Sequence, residues 1–306
     1  MVSGVFLIGL VVIVAVLAAV VIMWAVRRNR VVSFDRDRYP GLATLRRSTM
    51  TARYIGLAAA VVGFGLVAAW GRLGRGWFLA PAAAGAVLIV AVMIGQQVAY
   101  GGARTVGVAA VERRLVRNYL PRGPALAVAL CLATLVAASI WTTVSASPDS
   151  LATQRAFTVT GSARVGSEAA PGTQVITSTS TPFPGSFYTI PIAIGVPIVL
   201  LLGGIALWLT ARRPRNGADP ELVAVDDALR RQTAQGVVAG VGLVVSLSLL
   251  LVAFLAALAL LGAAEFGAGY VVGGTVFGLM ALGSLIVAAW STVLVLVPGT
   301  RAVKPA

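Results

Sequence analysis

Seven stretches of this 306-residue chain contain no Asp, Glu, Lys or Arg: residues 5–26, 54–70, 77–98, 125–145, 188–210, 236–261 and 268–297. A bilayer's hydrocarbon core is about 30 Å thick, and roughly 20 apolar helical residues cross it. Within it every backbone N–H and C=O must be satisfied inside the segment, which selects helices. A soluble helix keeps a polar face for water, and none of these stretches has one. The second stretch is short, and the last two are long enough to tilt or protrude. The expected fold class is therefore all-α: a polytopic membrane protein with seven transmembrane helices. A mean hydropathy of +0.93 and 58% hydrophobic residues agree.

The basic residues orient the spans. Of 24 Lys and Arg, twenty fall on one side of this seven-span map. They lie after the first span (Arg27 to Arg53), between spans three and four (Arg104 to Arg122), between five and six (Arg212 to Arg231), and in the tail (Arg301, Lys304). Only Arg72, Arg75, Arg155 and Arg164 fall on the other side. Loops rich in Lys and Arg stay in the cytoplasm, so the N-terminus is expected outside and the C-terminus in the cytoplasm. The first span is read as a retained anchor, because its arginines follow the apolar run. Tryptophans near span ends (Trp24, Trp70, Trp77, Trp141, Trp208) match an interfacial aromatic belt. The +14 net charge then describes orientation and attraction to anionic headgroups, and excludes nucleic acid as the expected partner.

Two regions resemble each other. Trp24 with Arg27-Arg28-Asn29-Arg30 recurs as Trp208 with Arg212-Arg213-Pro214-Arg215, and Leu45-Arg46-Arg47 recurs as Leu229-Arg230-Arg231. These matches suggest a 3+1+3 internal repeat. The chain divides into a three-span unit (1–123), a connecting span (124–147), an exported Ser/Thr-rich loop (148–187) and a second three-span unit (188–306). In the exported loop, Phe157–Thr160 and 173–180 carry β-type residues that could pair as a hairpin, and the remainder reads as flexible linker. In the loop before span six, Asp219 and Pro220 begin a short amphipathic helix. It carries Asp226–Arg230 and Asp227–Arg231 pairs four apart, and either lies on the membrane surface or extends the span as a solvated helix.

The residue inventory removes several chemistries. The chain has no histidine, hence no Ser-His or Cys-His pair and no imidazole metal site. Lys304 is the only lysine, so no G-x-x-x-x-G-K-[ST] phosphate loop exists. The acidic pairs Asp35/Asp37 and Asp226/Asp227 sit beside arginines and read as local charge balance. Gly71–Gly76 reads as a hairpin turn, Cys131 as a small apolar residue, and Glu265 as a headgroup-level carboxylate. No cofactor is expected, and the chain is not read as an enzyme. The strongest intramembrane polar pair is Gln96-Gln97. Pro81, Pro191 and Pro197 could break helices as transporter sites require, but each lies in the first half of its span, where proline costs little.

What remains is association. Gly236 and Gly240 in span six, and Gly269, Gly273, Gly274 and Gly278 in span seven, are small residues four apart that let helices approach closely. Arg46, Arg47, Arg230 and Arg231 are the candidate contacts for lipid headgroups or a partner. The expected function is that of a non-enzymatic integral membrane subunit or scaffold, acting through helix packing and basic cytoplasmic loops. The alternative is a carrier or exporter of an uncharged or lipid-like substrate. Expected partners are membrane lipids, further copies of the chain, or other membrane subunits. Arg-for-Lys bias and Ala, Val and Gly abundance point to a bacterial cytoplasmic membrane.

Overall fold

A computed structural model describes residues 40–70, 72–101, 116, 119–165, 172–212 and 220–296. The first expected span, 5–26, lies outside them, and with it the count of seven and the Trp24 to Arg30 part of the repeat. Among the described residues, six helices are long and apolar enough to cross a membrane. They are α1 (Pro40–Trp70), α2 (Arg75–Gly101), α3 (Arg122–Ser145), α4 (Ser186–Arg212), α5 (Pro220–Gly262) and α6 (Ala268–Leu296). The chain is thus a mainly helical, multi-pass membrane protein. Each helix covers its apolar stretch, but α1 and α5 begin well before theirs. Proline occupies the first position of both, where its missing N–H removes no helical hydrogen bond. α5 has 43 residues, about 64 Å at 1.5 Å per residue, well beyond the hydrocarbon thickness.

Burial identifies the centre. Of the apolar window of α5, 61% is buried, against 22% for α1 and for α3. α5 packs on α2, α3, α4 and α6, whereas α1 packs mainly on α2. Ile89, Val199, Val237, Val244, Val245 and Val252 fill the interior and are essentially inaccessible. Close approach depends on small residues: Gly85 lies beneath Val244, Gly203 beneath Val241, and Gly195 against Ala82. With no hydrophobic drive between helices in lipid, such interdigitation supplies the dispersion contact that holds a bundle together. Outward-facing Val61, Leu66, Leu126, Leu130, Ile194, Leu201 and Leu279 remain exposed, an apolar belt suited to lipid tails. Both α2 and α4 continue through their interior prolines, Pro81, Pro191 and Pro197.

One end of the bundle carries a sheet. β1 (Ser147–Pro148), β2 (Gln154–Val165) and β3 (Gly172–Ser180) form an antiparallel sheet in that order. β2 and β3 pair from Phe157 opposite Ser180 to Val165 opposite Gly172. The hairpin expected from the β-type residues is present and longer than anticipated. The flanking segments, expected as flexible linker, are instead fastened. Phe183 is fully buried, and its ring lies 5.0 Å from Phe157 and 6.5 Å from Trp141. Phe157 meets Tyr270, and Trp141 meets Phe277. A loop too small for its own core therefore shares the core of the bundle. Sequence pattern could locate the strands but not these docking partners, which are distant in the chain.

The turn between α1 and α2 belongs to the same end. Leu73 and Gly74 both take positive φ, 56° and 78°; Gly74 does so without a β-carbon clash. The Leu73 carbonyl accepts a 2.7 Å hydrogen bond from the Tyr188 hydroxyl, and Tyr188 stacks on Phe78 at 4.5 Å. The described part of the Gly71–Gly76 stretch, from Arg72 on, is thus a tight connection, as expected. Glu265 is exposed in the short turn between α5 and α6 at this end.

Candidate functional site: a polar cleft at the arginine end

The opposite end carries Arg47, Arg53, Arg122, Arg212, Arg230 and Arg231 among the described side chains. Two polar assemblies occur there, and they differ in completeness.

The first secures the start of α5. Asp226 and Arg230 are one helical turn apart, so their side chains meet on one face. Both are buried, with Arg230 Nε 3.0 Å and Nη2 2.7 Å from Asp226 Oδ2. Arg230 Nη1 also reaches toward the carbonyls of Thr210 and Ala211 at 3.5 Å. Those carbonyls end α4, where the helix dipole favours a cation. The Tyr119 hydroxyl donates to Asp227 at 3.3 Å, and Tyr119 packs with Ala211 and Ala234. The segment before span six runs into that span, as expected, but it is only partly solvated. It is a helix continuous with the span, buried through Asp226, Ala228, Leu229 and Arg230. The expectation missed this burial because the burying surface comes from α4 and from residues before α3.

The second assembly is incomplete. Thr49, Met50 and Arg53 of α1, Val92 and Gln96 of α2, and Leu229, Gln232 and Thr233 of α5 line a cleft of about 20 Å³. That is room for one water-sized group. α1 and α2 come together here because Gly95 admits Ala52 and Gly56 admits Ala91. Gly236 of α5 receives the guanidinium of Arg53, and a β-carbon there would overlap it. Arg53 is 6% exposed and Gln96 5%. Gln96 Oε1 is engaged by the Thr210 hydroxyl at 3.2 Å. Arg53 Nη1 and Gln96 Nε2 are both buried without a hydrogen-bond partner. No carboxylate pairs with Arg53 among the described residues. A buried, uncompensated cation costs several kcal/mol after relaxation, so a cleft with two unmatched donors calls for an acceptor.

The four arginines expected at headgroups separate. Arg47 and Arg231 are exposed, whereas Arg230 is directed fully inward onto Asp226. Arg46 lies in α1, with its side chain outside the described set. The six glycines separate too. A β-carbon would clash at Gly236 with Arg53 and at Gly274 with Leu261. It would make ordinary contact at Gly240 and Gly273, and would meet nothing within 4 Å at Gly269 and Gly278. Arg53 itself was read as one of many basic residues preceding a span. The signal that distinguishes it is the helical spacing of Thr49 with Arg53, facing Gln232, Thr233 and Gly236.

The sheet end shows what a completed polar cluster looks like in this molecule. Asp149 accepts hydrogen bonds from the Leu151 and Thr153 amides and the Thr153 hydroxyl, each at 2.9 Å, and from Arg155 Nε. Burial pushes its carboxyl upward, but the bonds from Thr153, Arg155 and Leu151 outweigh this and bring the pKa down to about 2. Comparison of the chain with protein-family models, with curated proteins and with solved structures finds no match, so its reading rests on this geometry.

Proposed function

We propose that this protein is a non-enzymatic membrane subunit or scaffold that works through transmembrane helix packing and its basic loops. The observation that carries the reading is the filled interior. Where a carrier would need a polar cavity, Ile89, Val199, Val244, Val245 and Val252 are packed together and inaccessible. The unbroken helices at Pro191 and Pro197 weigh the same way, since transporter sites commonly use interrupted helices. The outward faces of α1 and α3, largely unburied, offer surface to other copies of the chain or to other membrane subunits. Gly269 and Gly278 remain open for the same use.

On this reading the arginine end faces the cytoplasm of a bacterium and the sheet faces outward, with residues 5–26 as a seventh span. A periplasm-active reporter fused after Thr173 should then work and one fused after Arg215 should fail; the reverse pattern would overturn the orientation. Mild solubilisation followed by crosslinking should yield a discrete species larger than the 31.3 kDa chain. A monodisperse monomer would count against a subunit role.

A further inference from the structure

Two buried donors from different helices, Arg53 Nη1 and Gln96 Nε2, line one cleft and lack partners. The other polar groups lining it, from Thr49, Gln232 and Thr233, are neutral. We propose that this cleft binds a phosphate-type oxyanion, with Arg53 as its counter-charge and Gln96 as the second donor. Water alone would satisfy hydrogen bonds but leave the guanidinium charge uncompensated. An oxyanion supplies both charge and several acceptor sites, and the planar guanidinium fork matches phosphate geometry.

The placement fits this ligand. Arg53 directly precedes the apolar stretch of α1, and the next residue, Tyr54, is 54% exposed at the level where aromatic residues meet headgroups. Half-exposed Thr49 and Met50 border the cleft. With about 20 Å³ inside, it admits a phosphate oxygen while the rest of the ligand stays outside. Gly236 is part of the design, because a side chain there would displace the guanidinium. Phosphate oxygens come either from a lipid headgroup or from free phosphate, and both present the same chemistry. The inference is independent of whether the chain is a subunit or a carrier.

The test uses the delipidated full-length chain in a neutral detergent at constant ionic strength. Its melting temperature is followed against inorganic phosphate, a short-chain phosphatidylglycerol, and a sugar-headgroup lipid without phosphate. A saturable rise is expected with at least one phosphate-bearing probe and none with the sugar lipid. A response to the lipid alone assigns the site to headgroups, and a response to both assigns it to the phosphate group itself. Arg53→Gln should abolish the rise, and Arg231→Gln, at an exposed arginine, should retain it. If Arg53→Gln does not fold, Gln96→Leu decides: losing one donor to a charged ligand should raise the half-maximal concentration about tenfold. No rise with either phosphate probe would overturn the proposal. So would an unchanged response in Arg53→Gln or Gln96→Leu, or one lost in Arg231→Gln.

Discussion

The two ends of the bundle use arginine in opposite ways. At the sheet end, Arg155 closes on Asp149, whose carboxylate is only 4% exposed and collects four donors. At the other end Arg230 is equally well matched by Asp226, but Arg53 of α1 meets no carboxylate among the described residues, and its Nη1 is buried without a hydrogen-bond partner. A buried ion pair is a structural fastener, strongly destabilising when half of it is removed. A buried arginine without a partner is a cost that the fold carries. The contrast therefore distinguishes arginines that an acid neutralises, Arg155 and Arg230, from Arg53, which the proposal assigns to a ligand. Polarity or position along the chain would not have separated them.

The largest effect expected concerns the fastener. Asp226→Ala removes the carboxylate that faces the buried Arg230 and should lower stability by about 3–5 kcal/mol. The double change Asp226→Leu with Arg230→Met should cost far less, since two apolar side chains replace two compensated charges. Reversible unfolding in micelles measures both. A single variant as stable as the parent would place the pair outside the structural core. Arg53→Met should behave in the opposite sense. In phosphate-free detergent, removing an uncompensated buried charge should leave stability unchanged or raise it by about 1–3 kcal/mol. A loss comparable to that of Asp226→Ala would make Arg53 another fastener and erase the contrast.

Much of this was legible before any coordinates. Uncharged runs marked all six described spans, because lipid imposes a requirement that composition alone satisfies. The Asp226–Arg230 spacing placed a helix beginning at Pro220, and the β-type residues of 157–160 and 173–180 placed a hairpin. What stayed hidden is what depends on partners distant in sequence. Nothing near Arg230 announces that Ala211 will cover it, and nothing near Phe157 announces Phe183, Trp141 and Tyr270. Arg53 was invisible for a further reason: in a chain where basic residues follow the positive-inside pattern, one turned inward reads like the rest. Of the six glycines expected at helix contacts, only Gly236 and Gly274 sit where a side chain would not fit. Periodicity reports which residues share a face, not what that face meets.

The smallest effect expected belongs to the sheet end and to acid. The Asp149 pKa is lowered to about 2, below the unfolded carboxylate value of about 3.9. The stabilisation it supplies is complete above that unfolded value and is lost as pH falls through about 2. Proteolysis of the 147–185 segment should stay slow down to about pH 4 and accelerate below it. Asp149→Asn should make the segment labile already at neutral pH and flatten the acid response. An acid profile identical in the two proteins would remove Asp149 from the account.

The most direct measurement is hydrogen–deuterium exchange of the delipidated chain in detergent, with and without a saturating phosphate-bearing lipid. The account expects slowed exchange confined to 48–56, 92–97 and 229–236, with no change across 147–160. Protection at the sheet end, or spread evenly over the bundle, would contradict the claim that the unmatched arginine marks the ligand site.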